Sequence, residues 1–346
     1  GLSIPEIAAA LDVDALVEGS VLKAEDTVRI TVQLIEAKQD RHLWADNFDR
    51  PLRDILALYS DVTQEIARQV SVTLEPDEAR QLTETEPVDP DVYERYLHGR
   101  FLCDQWDPES MARGARLLEA AVEREPNHAS ALAYLALCQQ YRSFFGYVKP
   151  LDIIEEARAM AERAVVLAPD RAEAWVSLAA VQYYLDFDIA AGAASLDRAL
   201  EAERDDIRSL MHASWLHGES GNAARALTYN RRALELDPLS TIVINAMGQV
   251  HYLSRAFDSA LREYERALEL APNDPSMHYF VARTLEALGD NEEAVARHRD
   301  AVALSGGEPL YQSALAYSLG IAGQSEGARA LLDAVESSGR ASPYHR

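Results

Sequence analysis

A spacing of 34 residues that recurs along most of the chain is the feature that most constrains its fold. The pattern Ala, Leu, acidic residue, Leu, any residue, Pro occupies 233–238 and again 267–272. Extending this frame gives repeat ends near 126, 169, 204, 238, 272, 306 and 340, separated by 43, 35 and then 34 residues each. Such a period indicates one supersecondary unit used repeatedly, each copy burying its apolar face against its neighbours.

The residues inside each period indicate a pair of helices. Tyr264 and Ala267 follow Ala260 at helical spacing, so an apolar stripe runs along the second half of the unit. Small residues recur in this half at Ala226, Ala260, Ala294 and Ala328. Glycines recur between the halves at Gly221, Gly289 and Gly323, and prolines follow the unit at Pro238 and Pro272. Glycine adopts positive φ without strain and ends the first helix, whereas proline ends the second.

With these residues the chain resembles the tetratricopeptide repeat, a helix-turn-helix unit. The resemblance covers about residues 91–340 and implies a mainly all-α fold, a right-handed superhelix of about seven repeats. Departures from the pattern are local. About nine extra residues between Tyr141 and Ile154 predict a protruding turn. Gly114 and Gly192 replace the small Ala, which predicts looser packing.

Residues 1–76 lack the 34-residue repeat and show a different sequence pattern. Apolar and polar residues alternate in one segment, which predicts a strand with one buried face formed by Val28, Ile30, Val32 and Leu34. Further strands are predicted at Ala15–Lys23 and His42–Phe48. Pro51 predicts the start of a helix. Its apolar face is predicted to contain Ile55, Leu58, Tyr59, Val62, Ile66 and Val70. Acidic residues and proline predict a linker at 77–90, before a repeat domain at 91–346.

This N-terminal segment resembles the C-terminal half of the TolB-like domain that precedes tetratricopeptide repeats in bacterial signalling proteins. The matching residues are Val13, Asp14, Glu18, Gly19, Ser20 and Val21, then Val28, Arg29, Ile30, Thr31, Gln33 and Leu34, then His42, Leu43, Trp44, Ala45, Asp49 and Arg50. In that family the first strand and helix lie upstream, so the resemblance implies a small, incomplete α/β module. Ser342 to His345 similarly look like the opening of an eighth repeat.

The same resemblance implies a regulatory context. Family members carry a winged-helix DNA-binding domain, a class III nucleotide cyclase or a protein kinase upstream, often across a single membrane span. We therefore expect a region of a larger bacterial protein, cytoplasmic by default or, alternatively, on the periplasmic side of a membrane-anchored regulator.

The charge constrains the partner. The chain has 33 Lys plus Arg against 57 Asp plus Glu, a net charge of -24. Nucleic acids and anionic membranes would be repelled over most of such a surface, so we expect no nucleic-acid binding and no direct membrane contact. A partner attracted by this charge should be basic.

No motif predicts catalysis, a metal or a cofactor. The chain lacks a phosphate-binding loop, HExxH, GxSxG and paired CxxC sequences. Cys103 and Cys138 lie 35 residues apart without Cys/His spacing, which predicts two small buried thiols rather than a metal site. We therefore expect a non-catalytic chain.

The resemblance implies where a partner would bind. In tetratricopeptide arrays the first helices line the concave face, and residues at the groove positions here include aromatic and polar side chains suited to peptide recognition. These candidates are Tyr141, Tyr183, Tyr184, Arg208, Met211, Trp215, Asn245, Gln249, Tyr252, Tyr279, Arg283 and Tyr317. The alternative is that several of the tyrosines pack between repeats.

Two functions remain from this reasoning. The first is an interaction and regulatory scaffold whose groove binds a peptide, a protein or another domain of the same polypeptide. The repeats contain no Lys beyond Lys149, which disfavours a dicarboxylate clamp, although Arg208 or Arg283 could pair one carboxylate. The second function is sensing of a small ligand or envelope component by the N-terminal module, with the repeats as support.

Overall fold

The computed structural model describes residues 4–11, 13–24, 27–37, 40–70 and 89–337. Residues 1–98 together with 123–125 form one compact unit, and residues 99–122 together with 126–346 form the other.

The N-terminal part of the first unit is a three-stranded sheet with helices before and after it. Its elements are α1 (Ile4–Leu11), β1 (Ala15–Ala24), β2 (Thr27–Glu36), β3 (Arg41–Pro51) and α2 (Ile55–Gln69). The strands are antiparallel in the order β1-β2-β3. The three strands predicted from the sequence are thus confirmed. Residues 25–26, which separate β1 and β2 in the sequence, and most of the predicted linker lie outside the described residues.

One face of β2 packs against α2. Val28 and Val32 form a buried cluster with Leu58 and Val62, as the alternating pattern predicts. The predicted start of the helix at Pro51 was wrong. Pro51 is the last residue of β3, and a short 3-10 turn precedes Ile55. Proline fits this strand end because no further ladder hydrogen bond needs its missing N–H.

The buried stripe of α2 is narrower than predicted. Tyr59 is 65% exposed and Val70 is 41% exposed. Tyr59 lies beside the stripe that Leu58 and Val62 form, about 100° around the helix from Leu58, and Val70 follows the last residue of α2.

Fourteen helices follow within residues 89–337. They are α3 (Pro90–Cys103), α4 (Pro108–Arg124), α5 (Ala129–Phe144), α6 (Pro150–Leu167), α7 (Ala172–Tyr184), α8 (Ile189–Ala202), α9 (Ile207–Glu219), α10 (Ala223–Leu236), α11 (Thr241–Leu253), α12 (Phe257–Leu270), α13 (Pro275–Leu288), α14 (Asn291–Leu304), α15 (Pro309–Ile321) and α16 (Ser325–Ser337). Each consecutive pair corresponds to one sequence repeat, which gives repeats one to seven.

The helices follow the predicted frame closely. In repeats two to seven the first helix packs against its own second helix. The helices α10 and α12 end at Leu236 and Leu270, two residues before Pro238 and Pro272. The predicted end of repeat seven at residue 340 and the predicted eighth repeat lie outside the described residues.

The insertion in repeat two lengthens helices more than it lengthens the turn. The helices α5 and α6 have 16 and 18 residues, whereas α11 and α12 of repeat five have 13 and 14. Only 145–149 lie between α5 and α6. The prediction of a protruding turn was therefore wrong for most of the insertion, because Pro150 at the first position of α6 starts the helix early.

The turn inside each repeat contains a residue with positive φ. Gly221, Gly289 and Gly323 have φ of 82°, 91° and 77°, as predicted. Repeats one, three and five use other residues at the same place, namely Trp106, Phe187 and Arg255 with φ of 64°, 57° and 60°. The turn geometry is thus a property of the repeat, and three copies adopt it without glycine.

Gly114 makes the packing tighter, contrary to the prediction. A Cβ atom there would lie 2.6 Å from the Gly99 carbonyl oxygen and 2.7 Å from the Cys103 Sγ atom. At Gly192 a Cβ atom would lie 3.1 Å from that of Tyr183. Both glycines therefore allow close helix approach, and the prediction of looser packing was wrong.

The two cysteines form a disulfide, so the prediction of two free thiols was wrong. Cys103 at the end of α3 and Cys138 in α5 have Cα atoms 5.9 Å apart, and both side chains are fully buried. Their spacing of 35 residues is close to one repeat. It therefore places them at matching positions on neighbouring first helices.

Candidate functional site: the inner face of the repeats

The first helices of the repeats form the inner face of the solenoid. Contacts join α5 to α7, α7 to α9 and α9 to α11. In a curved stack the elements on the inside approach one another most closely. A direct sign of this curvature is an ion pair between Asp104, which follows α3, and Arg208 on α9, with Nη2 3.3 Å from Oδ2. These residues are 104 positions apart, so repeats one and four meet on the inner face.

Tyr134 of repeat two completes this contact, and we refer to Asp104, Tyr134 and Arg208 as the cross-tie. The Tyr134 hydroxyl donates to the Asp104 carboxylate, with O···O distances of 2.6 and 2.7 Å. The guanidinium carbon of Arg208 lies 4.9 Å from the Tyr134 ring centroid, a cation–π distance. The side chains of Arg208 and Asp104 are only 21% and 30% exposed. The charge of Arg208, a predicted groove residue, is thus paired with a carboxylate of the same chain.

A buried aromatic cluster lies beside the cross-tie. The Tyr141 hydroxyl and His212 Nε2 are 2.9 Å apart, and the Trp106 ring lies 4.9 Å from the ring of Tyr141. Burial raises the pKa of Tyr141 to about 12 and, together with the charge of Arg208, lowers that of His212 to about 3. Both groups are therefore uncharged at pH 7.

Two of the predicted groove residues are buried in this region. Tyr141 is 3% exposed and Met211 is 6% exposed, the latter within a cluster with Leu210 and Val243. Their burial favours the packing alternative for both. Trp215 is half-buried with its ring 5.2 Å from His212.

A second group lies at the edge of the solenoid, and we refer to Phe144, Tyr183, Tyr184 and Glu219 as the aromatic edge. The Tyr183 hydroxyl donates to Glu219 at 2.8 Å, and the Tyr184 hydroxyl lies 3.4 Å from the same carboxylate. The ring centroid of Tyr184 lies 4.6 Å from that of Tyr183 and 5.6 Å from that of Phe144. Burial is the main cause that raises the pKa of Glu219.

The third group is centred on Arg283 of α13. Its guanidinium carbon lies 5.1 Å from the Tyr252 ring centroid and 5.5 Å from that of Tyr279. Tyr279 also contacts Tyr311 of repeat seven, with centroids 5.9 Å apart. Burial acts to lower the pKa of Arg283, but the two tyrosine oxygens outweigh this and raise it. Within the described residues no carboxylate lies at ion-pair distance from Arg283.

The remaining predicted residues are dispersed along the same face. Asn245 is half-buried and its Nδ2 lies 3.7 Å from Met277 Sδ. Gln249 is half-buried, and Tyr317 is 63% exposed. The structure therefore groups nine of the twelve predicted residues into local sets and leaves Asn245, Gln249 and Tyr317 outside them.

Sequence reasoning missed four residues that organise these sets: Asp104, Tyr134, His212 and Glu219. Asp104 lies in a turn and Glu219 at a helix end, outside the groove positions of the repeat frame. No pattern along the chain signals a contact between residues 104 positions apart. Only the curvature of the stack brings them together.

With this geometry established, comparisons with known proteins define the repeats. A family model described as tetratricopeptide repeat matches residues 251–317. Among solved structures, the human IFIT1 dimer with PPP-AAAA has a TM-score of 0.60 at 17% identity, covering 82% of this chain and 65% of IFIT1. A tetratricopeptide repeat protein from Parabacteroides merdae has a TM-score of 0.50 at 15% identity, covering 72% of this chain and 93% of that protein. At these identities the likeness shows the fold alone.

Residues 251–317 therefore contain the tetratricopeptide repeat, and the helical part of the chain has the tetratricopeptide-repeat fold. This fold is generally non-catalytic and serves as a scaffold for protein–protein interaction. Within the described residues no group of three His, Cys, Asp or Glu side chains could hold a metal ion. None of the helices described is both long enough and apolar enough to cross a membrane.

Two curated proteins match parts of the chain. A candidate adenylate cyclase of Rhizobium meliloti, adenylate cyclase 3, is 32% identical over 134 residues, which cover 39% of this chain and 23% of that protein. Superkiller protein 3 of Schizosaccharomyces pombe is 23% identical over 234 residues, which cover 64% of this chain and 16% of that protein. The chain thus spans less than a quarter of the length of each of these relatives.

Proposed function

We propose that this chain is a non-catalytic interaction and regulatory region of a larger bacterial signalling protein, and that its inner face binds a peptide or protein partner. The partner is a separate polypeptide or another domain of the same one. The partial match to the Rhizobium meliloti cyclase and the TolB-like resemblance of residues 1–76 support the signalling context.

Arg283 is the observation that carries the proposal. A guanidinium that is partly withdrawn from water normally acquires a carboxylate partner, because burial of an unpaired charge is costly. Arg283 instead lies against the rings of Tyr252 and Tyr279. This arrangement leaves donors available for a partner's backbone carbonyl or carboxylate, and the rings supply rigid apolar area beside them.

Selection of short random peptides displayed on phage, with the full chain immobilised, tests this function. We expect enriched peptides whose affinity, measured by fluorescence anisotropy, falls about tenfold in Arg283→Gln, since one charge-assisted contact is lost. Arg299→Gln on the second helix of the same repeat is the matched control, because Arg299 is exposed and has the same charge. Failure to enrich any peptide, or equal losses in both variants, would contradict the proposal.

The exclusion of nucleic acid stays a prediction based on charge. The same anisotropy measurement with labelled oligoadenylate checks it, and we expect no binding at physiological salt. Saturable binding of oligoadenylate that Arg283→Gln weakens would instead make the inner face a nucleic-acid site.

A second candidate function is ligand sensing by the N-terminal module. It is favoured by a cleft of about 410 Å³ beside Phe48. The charged residues along this cleft pair with one another, however: Arg50 with Asp61 at 2.7 Å and Arg68 with Glu65 at 2.5 Å. The inner face therefore remains the first choice. A thermal-shift screen of the full chain with small metabolites would reveal such a ligand.

A further inference from the structure

The aromatic edge lies where three successive first helices end. The last residue of α5 is Phe144, that of α7 is Tyr184 and that of α9 is Glu219. The C-terminus of a helix carries a negative partial charge from its unpaired carbonyl groups. Three such ends, joined by the contacts between these side chains, form a local environment that favours a positive charge.

Glu219 adds a carboxylate that has no Lys or Arg at ion-pair distance among the described residues. Its partners are the hydroxyls of Tyr183 and Tyr184. By contrast, Asp186 in the neighbouring turn pairs with Arg158, and Asp104 pairs with Arg208. A carboxylate held in place by two hydroxyl donors but lacking a cation is oriented for a ligand that carries one.

The aromatic rings beside Glu219 are steeply inclined to one another. Tyr183 and Tyr184 are inclined to each other by 75°, and Phe144 and Tyr184 by 72°. Phe144 is 56% exposed, so its ring is accessible from solvent. Faces of aromatic rings attract an ammonium or guanidinium group, and aromatic cages use this attraction to bind cations.

We propose that Phe144, Tyr183, Tyr184 and Glu219 form a cation-binding site that takes a lysine or arginine side chain of the protein partner. This inference rests on the proposed function, because it identifies part of the partner that the solenoid recognises. The net charge of -24 favours a cationic segment at the surface as well. Arg283 and the aromatic edge would then bind different parts of one partner.

The experiment uses the peptides enriched on the full chain and two variants of equal charge. Glu219→Gln removes the charge but keeps an oxygen that can accept the tyrosine hydroxyls. Glu265→Gln on α12 is the control, since Glu265 is exposed. We expect enriched peptides to share a Lys or Arg, and Glu219→Gln to weaken their binding about tenfold while Glu265→Gln changes it less than about twofold.

A double-mutant cycle localises the effect. Replacing the shared lysine of the peptide by norleucine, or its arginine by citrulline, should weaken binding to the original chain about tenfold and to Glu219→Gln less than about threefold. Phe144→Leu is a second variant, chosen because the ring is largely exposed. It should weaken the cationic peptide by several-fold with unchanged melting temperature and leave the neutral peptide unaffected.

The outcomes separate the two proposals. Peptides that lack a shared cation, equal effects of the two glutamate variants, or an additive cycle would overturn the cation site while peptide binding stands. Absence of any enriched peptide would overturn the inner-face function, and the cation site with it.

Discussion

The inner face differs between repeats one to four and repeats five to seven, and its two central arginines show how. Arg208 reaches Asp104 and Tyr134 of earlier repeats, so its charge is satisfied inside the molecule. Arg283 stacks on Tyr252 and Tyr279 and has no carboxylate partner among the described residues. Identical side chains on the same face therefore have different surroundings: Arg208 is paired within the molecule, whereas we propose that Arg283 binds a partner.

This difference predicts that loss of Asp104 or Arg208 lowers stability, whereas loss of Arg283 lowers binding. The cross-tie should be a structural element, because removing Asp104 takes the carboxylate partner from Arg208, whose side chain is only 21% exposed. Arg283 should be replaceable with little loss of stability.

The largest expected effect is on stability. Asp104→Ala should lower the free energy of unfolding by about 2 to 4 kcal/mol, since it leaves the largely buried Arg208 without its carboxylate partner and removes the hydrogen bond that Asp104 accepts from Tyr134. Chemical denaturation monitored by circular dichroism measures the change. Asp205→Ala is the control, because it breaks an exposed ion pair with Arg232 at 2.8 Å and should cost less than about 1 kcal/mol. Equal losses in the two variants would mean that the cross-tie is no more than a surface contact.

The second effect is a pH dependence from His212. Its pKa is about 3 in the folded chain against 6.5 for an ordinary histidine. The unfolded chain therefore binds a proton that the folded chain excludes. The stability due to neutral His212 is fully present above pH 6.5 and is lost as pH falls toward 3. This group contributes a slope of at most about 1.4 kcal/mol per pH unit in that window.

Unfolding free energies of the original chain and of His212→Gln, measured across this window, isolate the contribution. We expect the variant to lose stability less steeply as pH falls. Parallel curves for the two proteins would show that His212 is protonated in the folded chain and that the cluster around Tyr141 is open to water.

Sequence reasoning predicted the fold well because the repeat imposes local rules. The frame placed the ends of α10 and α12 within two residues, and the glycine turns at Gly221 and Gly289 have the predicted geometry. The sequence-based predictions were wrong where contacts with neighbouring residues determine the structure. Pro150 turned an expected loop into helix, and Gly114 lies against a backbone oxygen that no sequence pattern reveals.

The candidate site was less predictable than the fold. Groove positions follow from the frame, so Tyr252, Tyr279 and Arg283 could be named in advance. Their partners could not, because contacts such as Asp104 with Arg208 depend on how several small rotations between repeats add up. The disulfide of Cys103 and Cys138 had a usable signal, since a spacing near one repeat places equivalent positions side by side.

A smaller effect is expected at Arg283. Arg283→Gln should change the free energy of unfolding by less than about 1 kcal/mol, because no ion pair is broken. The same variant should weaken binding of an enriched peptide by about 1.4 kcal/mol, or tenfold. Comparing the stability change with that of Asp104→Ala tests the contrast between Arg283 and Arg208 directly. A large loss of stability in Arg283→Gln would make Arg283 a structural residue like Arg208.

The smallest effect is expected at the turns of repeats three and five. These two turns have the same backbone geometry, although the repeats lie in different parts of the solenoid. Phe187 and Arg255 occupy the positive-φ position that Gly221 fills in repeat four. A non-glycine residue there costs about 1 to 2 kcal/mol, while glycine costs about 0.5 to 1 kcal/mol through the entropy of the unfolded chain. Phe187→Gly should therefore stabilise the chain by about 0.5 kcal/mol, because the ring is 82% exposed and little packing is lost.

Arg255→Gly should stabilise the chain less, since Arg255 lies 5.6 Å from the Phe257 ring centroid and the variant loses that contact. Melting temperatures of both variants show which substitution stabilises the chain more. Destabilisation by Phe187→Gly would show that this exposed ring packs against part of the chain in solution and contributes more than its strain costs.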